Sequence, residues 1–426
     1  MRCRTTELRT AMDRACTNIG RKRPLSHSTA TLSTLEIDGS KGEGGGQIIR
    51  NSAAYAAILQ NRNLRLFNIR AKRSQQGLKR QHLVALELLA QASGATLVGG
   101  AVGSTDVTMK FQEMAESSSR NETPTPSQSL VGDTQTAGSI CLLLQAVIPF
   151  ALFANRAIQW SLKGGTNATM APQFDYFEQI FLPTLQLAGL PLEAVKSKVT
   201  RHGYYPKGGG DVMIHTTPLA SFLSPIILRD RGHIVNIRII AFHGGNCPGH
   251  VADRMAKGAH AHVQQKYLGI SIQKQVTFHQ SAVGAGSGIL IVAQTDTGCR
   301  LAGSALGSRK ESPQQTGRMA AEELCSTLRD GGCVDEHLQD QLILYMALAS
   351  GKSEIVTGSV TLHTQSAISV AEQMCGIAFE VEKLDDDTTI DKVDNNGRLR
   401  GRHRISCHGI GFLGRYSQDR TTSDKD

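Results

Sequence analysis

Short apolar strands alternate with amphipathic helical runs along most of this chain, and that alternation limits its fold more than any single motif does. "RLFNIRA" (65–71) and "GILIVAQ" (288–294) have the branched apolar content of strands. "RQHLVALELLAQAS" (80–93), "FDYFEQIFLPTLQLAG" (174–189) and "LQDQLILYMALAS" (338–350) space their apolar residues along one helix face. The pattern predicts an α/β (α+β) fold. With 426 residues the chain has room for two or three core-forming units at roughly 150 residues each. No apolar run approaches the roughly 20 residues of a membrane-spanning helix.

Charge is unevenly placed. Of the formal net charge of +9, residues 1–34 supply +5: Arg2, Arg4, Arg9, Arg14, Arg21, Lys22 and Arg23 against Glu7 and Asp13. The body, at +4, is only mildly basic. This leader lacks the apolar stretch of a secretory signal. It reads as a disordered tail, with a short basic address in "GRKRP" or a transit peptide as alternatives. The nucleus or the cytoplasm is the expected location, and a mitochondrial address is kept open. Nine cysteines, an odd count without a C-x-x-C pair, fit a reducing intracellular setting rather than a disulfide framework or a zinc site. "ESSSRNETPTPSQS" (116–129) and "LDDDTTIDKVDNNGRLRGRHR" (384–404) lack apolar periodicity and read as mobile surface loops; residues 413–426 read as a polar tail.

An internal echo draws attention to one histidine. "GSICLLLQAVI" (138–148) and "GSVTLHTQSAI" (358–368) share Gly, Ser, Leu, Gln and Ile at the same offsets, as two copies of one unit would, with Leu143 in the slot of His363. A lone histidine is ordinarily a satisfied, partly buried ring. At the first turn of a helix, however, the positive end of the dipole keeps the neutral, nucleophilic form available and attracts phosphate. Helix placement alone does not decide between the two readings.

Glycine clusters favour phosphate chemistry. "GSKGEGGGQIIR" (39–50), "KGGTNATMAPQ" (163–173) and "YYPKGGG" (204–210) set unobstructed backbone N–H groups beside Lys, Arg or Gln, the composition of anion-binding nests. Better-known nucleotide motifs are missing: "ASGKSE" has Met346 where a phosphate-binding loop needs Gly, and Glu36 precedes "IDG" where a lysine nucleophile would be required.

Eight segments in order, "IDGSKGEGGGQIIR", "IRAKRSQQGLKRQHL", "DTQTAGSICLLLQ", "KGGTNATMAPQFDY", "GYYPKGGGDV", "TGCRLAGSALGSR", "GGCVDEHLQDQLI" and "TGSVTLHTQSAI", resemble the RNA 3'-terminal phosphate cyclase family over most of residues 35–412. The resemblance implies repeated units, each a four-stranded sheet backed by two helices, in a large domain (35–224 and 326–412). A small α/β domain is expected as an insertion at 225–325. It also implies an ATP-dependent reaction in which a histidine, His363 here, takes AMP and passes it to an RNA 3'-phosphate. The adjacent 2'-OH then closes a 2',3'-cyclic phosphate.

By the same matching, Gln145, Pro172, His337, Asp340 and Gln341 are expected to line the adenylate site. Arg50, Arg70, Arg73 and Gln81 are expected to contact phosphate or the RNA end, and Glu43 to hold Mg2+ or Mn2+. His337 stands where the family commonly has Tyr, and Gln76 where it commonly has Pro. A non-catalytic relative that assists ribosome biogenesis is the main alternative, and such relatives lack the histidine that this chain keeps. An enolpyruvyl transferase built from similar repeats is a second alternative, and no motif supports it.

Overall fold

The computed structural model describes residues 32–112, 127–384, 394 and 397–415. The first unit runs β1 (Thr34–Asp38), α1 (Gly46–Leu59), β2 (Asn63–Phe67), α2 (Arg80–Ser93), β3 (Thr96–Val98) and β4 (Val107–Lys110). β1 lies parallel to β2, and β4 pairs antiparallel with both β2 and β3, giving the order β1-β2-β4-β3. The parallel pair requires a crossover, and α1 supplies it.

The second unit repeats this order. It contains β5 (Gln128–Asp133), α3 (Ile140–Leu152) and β6 (Ile158–Gly164), then a helical run of α4 (Phe174–Tyr176), a π-helical turn (Phe177–Phe181) and α5 (Leu182–Leu187). β7 (Val195–Gly203) and β8 (Gly210–Thr216) complete the order β5-β6-β8-β7. β6 alternates strictly, burying Ile158, Trp160 and Leu162 toward the helices.

The third unit opens with β9 (Ile227–Leu228), and its partner strand comes more than a hundred residues later. In between lie β10 (Ile234–Gly244), α6 (Gly249–Lys266), β11 (Ser271–His279), β12 (Ala282–Val283), β13 (Gly286–Thr295), β14 (Arg300–Leu306) and α7 (Pro313–Arg329). Of these, β11-β10-β13-β14 make a separate four-stranded sheet, while β12 adds to β7 of the second unit. The chain then returns through α8 (Gln339–Leu348), β15 (Ser350–Thr357), α9 (Leu362–Cys375), β16 (Phe379–Lys383) and β17 (His403–Ile410), in the order β9-β15-β17-β16. The chain therefore has a mixed α/β fold of repeated units. Among the described residues, no helix is long and apolar enough to cross a membrane.

The structure revises several expectations. "RLFNIRA" is a strand only to Phe67, because Asn68 and Arg70 take positive φ of 51° and 54° and turn the chain. β9, at 227–228, pairs with β15 of the third unit, and α7, which packs on the inserted sheet, ends at Arg329. The interrupted stretch thus sits a few residues later than 225–325. Gln128 and Ser129 belong to β5, and His403 and Arg404 to β17, so both proposed loops are shorter than expected. Residues 1–31, 113–126, 385–393, 395–396 and 416–426 fall outside the described residues.

The echo pairs helices that are not equivalent. α3 follows the first strand of its unit and α9 the second strand, and the caps are two positions out of step, Ser139 for α3 against Thr361 for α9. Leu143 is therefore not the counterpart of His363. The topological counterparts are Gln81 and Asp175, each the second residue of the second helix in its unit.

Candidate active site

His363 is the second residue of α9, whose start is fixed by Thr361: its hydroxyl accepts the N–H of Thr364 at 3.1 Å. The ring is exposed, and its Nδ1 lies 2.8 Å from Oε1 of Gln47, the second residue of α1. Nε2 of Gln47 in turn lies 2.5 Å from Oδ2 of Asp340, the second residue of α8. Three helix starts from the first and third units thus meet through one amide. Burial pushes the Asp340 carboxyl up to about 6, against the pull of His363, His337, Arg50 and the Gln47 hydrogen bond.

Glycine brings the 39–45 loop into place. Gly42 has φ +55°, and a Cβ there would stand 2.3 Å from Oγ of Ser366 in α9. That close seating lets Ser366 Oγ accept the N–H of Glu43 at 2.9 Å. The Glu43 carboxylate accepts the N–H of Gln47 at 3.2 Å and the guanidinium of Arg73 at 2.7 Å. Arg73 also donates to the Glu43 carbonyl at 2.7 Å.

The third contributor is α3, apolar except for Gln145, whose Oε1 accepts Nη2 of Arg50 at 3.0 Å. Arg50 is buried in α1, and its Nε has no hydrogen-bond partner among the described residues. Burial lowers its pKa, while the Glu43 and Asp340 carboxylates oppose that shift. Two small cavities of about 10 Å³ each adjoin this group, about the room for one water. Gln145, Pro172, Tyr176 and Gln341 line the first; Gln47, Gln145, Asp340 and Gln341 line the second.

The profile of the RNA 3'-terminal phosphate cyclase family matches residues 41–381, about four-fifths of the chain. The chain belongs to that family. It is 36% identical over 381 residues to the probable RNA 3'-terminal phosphate cyclase of Dictyostelium discoideum, covering 89% of this chain and 83% of that one. It is 34% identical over 381 residues to the RNA 3'-terminal phosphate cyclase of Drosophila melanogaster, covering 89% and 97%. The Pyrococcus furiosus protein of the same name is 36% identical over 346 residues, covering 81% and 94%.

In this cyclase-family chain the site residues expected from sequence divide into two groups. His363, Glu43, Arg50, Arg73, Gln145, Pro172, Asp340 and Gln341 lie along the connected set just described. His337 does not line either cavity. Its ring meets Tyr176 edge-on and its Nε2 lies 3.1 Å from Oε1 of Glu323. Burial opposes protonation of His337, yet the Glu323 hydrogen bond and the Asp335 and Glu336 carboxylates carry its pKa up to about 9. Its carbonyl accepts the Gln341 amide.

Arg70 and Arg73 differ sharply. Arg70 is buried and donates to the Gly77 carbonyl at 3.1 Å, holding the 70–77 turn closed, whereas Arg73 faces the Glu43 loop. Gln81 accepts the N–H of Ser139 at 3.2 Å and so ties α2 to the start of α3.

Gln47 and His82 were missed. Gln47 falls inside "GEGGGQIIR", but an amide among glycines carries no chemical signal of its own. His82 is kept neutral, with its pKa lowered to about 3 by burial and by Arg50, Arg70 and Lys79. It packs against Gly46, where a Cβ would stand 2.4 Å from its Nε2 and 2.8 Å from Nη1 of Arg50.

The residues fit a divalent ion modestly. Glu43 is a single carboxylate, the donor set Mg2+ uses when phosphate oxygens and water supply its other ligands. Among the described residues, three metal-ligating groups converge only at Glu323, Glu336 and His337. There Glu323 is already engaged by His337 and Ser304, and Glu336 by Arg398.

Proposed function

We propose that the chain is an ATP-dependent RNA 3'-terminal phosphate cyclase working through a histidine-AMP intermediate. The observation that carries this reading is the His363 ring: exposed at a helix start, with Nδ1 2.8 Å from Gln47 Oε1 and Nε2 without a hydrogen-bond partner among the described residues. In this reading the Nε2 lone pair attacks the α-phosphorus of ATP and the bond to pyrophosphate breaks, pyrophosphate leaving with that electron pair. An oxygen of the RNA 3'-phosphate then attacks the same phosphorus, and the P–N electrons return to Nε2. The 2'-OH next attacks the 3'-phosphorus, loses its proton and expels AMP.

Arg50 is suited to the phosphates, being a buried guanidinium with an unengaged N–H. Glu43 would hold Mg2+ or Mn2+, which supplies neutralisation of charge on the departing pyrophosphate. Neither cavity has room for a nucleotide in this conformation.

The test uses ATP labelled at the α-phosphate, with Mg2+ and no RNA. Acid-labile, base-stable label on the protein that is lost in His363→Asn supports the reading. Absence of label, or its persistence in the variant, removes it. A ribosome-assembly relative without catalysis would give no label under any condition.

A further inference from the structure

Gln47 is more than a neighbour of the nucleophile. An amide presents one acceptor face and one donor face, and here both faces are committed to ionisable groups. Asp340 lies at one end, 2.5 Å from the amide, and an ionised carboxylate can only accept. The NH2 of Gln47 must therefore turn to Asp340, which leaves Oε1 toward His363 Nδ1 at 2.8 Å. A carbonyl oxygen can only accept, so the proton of a neutral His363 ring has to sit on Nδ1.

Resting on the cyclase reading above, we infer that Gln47 is a positioning residue: held by Asp340, it fixes the proton of His363 on Nδ1 and presents an unprotonated Nε2 to the α-phosphorus. The chain supports this further. Gln47 is buried, and the amide is reached from α1, α8 and α9 together, so no single helix can turn it. Its backbone N–H is taken by Glu43, which fixes the start of α1.

The device also acts during the reaction. Attack through Nε2 leaves the ring cationic, because Nδ1 keeps its proton while Nε2 gains a bond to phosphorus. That charge is met by the Gln47 carbonyl dipole and, one amide further, by the Asp340 carboxylate. When the P–N bond breaks, its electrons return to Nε2 and the ring is neutral with the same tautomer, ready for another cycle. No proton has to move at the ring in either step.

The experiment is 15N NMR of the histidine-labelled full chain, with the His363 signals assigned by their loss in His363→Asn. Two-bond 15N–1H couplings distinguish the tautomers without ATP. The parent is expected to show a neutral ring protonated on Nδ1. Gln47→Leu should give a mixed or Nε2-protonated ring. It should also slow single-turnover self-adenylylation on the order of tenfold to a hundredfold at saturating ATP, with the ATP concentration for half-saturation little changed.

A parent ring protonated on Nε2, or a Gln47→Leu protein with parent tautomer and parent rate, overturns the inference. Because the parent spectrum alone can refute it, failure of a variant to fold does not protect it. If ATP never labels the parent, the functional reading fails while the tautomer measurement still stands by itself.

Discussion

The Glu43 carboxylate and the Arg73 guanidinium lie 2.7 Å apart, yet the carboxylate side chain is only 5% exposed and the guanidinium side chain 43%. The two ends of the pair therefore differ in what their loss leaves behind. Arg73→Ala strands a buried charge with the Gln47 N–H as its remaining donor, whereas Glu43→Gln strands a solvated one. Arg73→Ala is expected to lose about 1–2 kcal/mol more stability than Glu43→Gln in urea titrations. Millimolar Mg2+ should recover part of that difference for Arg73→Ala alone. No recovery would count against Glu43 as the metal-holding residue.

His363 is exposed, so its removal should separate chemistry from folding. His363→Ala is expected to stay within about 0.5 kcal/mol of the parent in stability. It should nonetheless take no label from ATP. A variant that is both unlabelled and unfolded would leave the loss unassigned to chemistry.

His337 gives a pH signature. Its folded pKa is raised to about 9, above the ordinary 6.5, so its contribution to stability is fully present below pH 6.5 and is lost as pH rises through about 9. The parent should lose stability between those values relative to His337→Gln. Glu323→Gln should bring the titration midpoint, followed by the ring C–H shift, back toward the ordinary histidine range. An unmoved midpoint would assign the shift to Asp335 and Glu336 instead.

Gly46 is a packing test. A methyl group there meets His82 and Arg50, both buried, and Gly46→Ala is expected to cost about 1–3 kcal/mol. It should also weaken ATP-dependent labelling by displacing Arg50 from Gln145. Labelling at the parent rate would show that Arg50 has slack.

RNA ending in a 2'-deoxy, 3'-phosphate nucleotide should accept AMP from the labelled protein and stop there, because ring closure needs the 2'-OH. Single-turnover discharge should be slowed more by Arg73→Ala than by any change in the 80–93 helix outside Gln81 and His82. Recovery of a cyclic end from the deoxy RNA would refute the sequence of steps.

Parts of this were legible in the sequence for identifiable reasons. α2 runs Arg80–Ser93, the segment its periodicity marks, and Gly94 in the left-handed region ends it, while at its start His82 Nδ1 accepts the Lys79 N–H. "RLFNIRA" misled because its apolar rhythm continues past Phe67 while the backbone turns. The echo misled because a Gly-Ser lead into an apolar helix marks a helix start, and each unit has two of those. Gln47 was illegible for a stronger reason: its partners are 293 and 316 residues away, and only the fold brings them together. Arg70 and Arg73 look alike in sequence; the first, at positive φ, is buried against the Gly77 carbonyl, and the second reaches out to Glu43.

The site draws on helices of all three units: Gln47 and Arg50 from α1, Gln145 from α3, Asp340 and Gln341 from α8, His363 from α9. Chain synthesis therefore delivers Arg50, the arginine proposed to hold phosphate, first and His363, the proposed nucleophile, nearly last. A nascent chain, or any fragment cut before Leu362, holds a half-built cradle and no reactive ring. A fragment beginning after Leu59 has the ring without the amide that orients it. Under the proposed function, chemistry is thus the last property the molecule acquires, and no ATP is turned over until every unit has been made and has found its place.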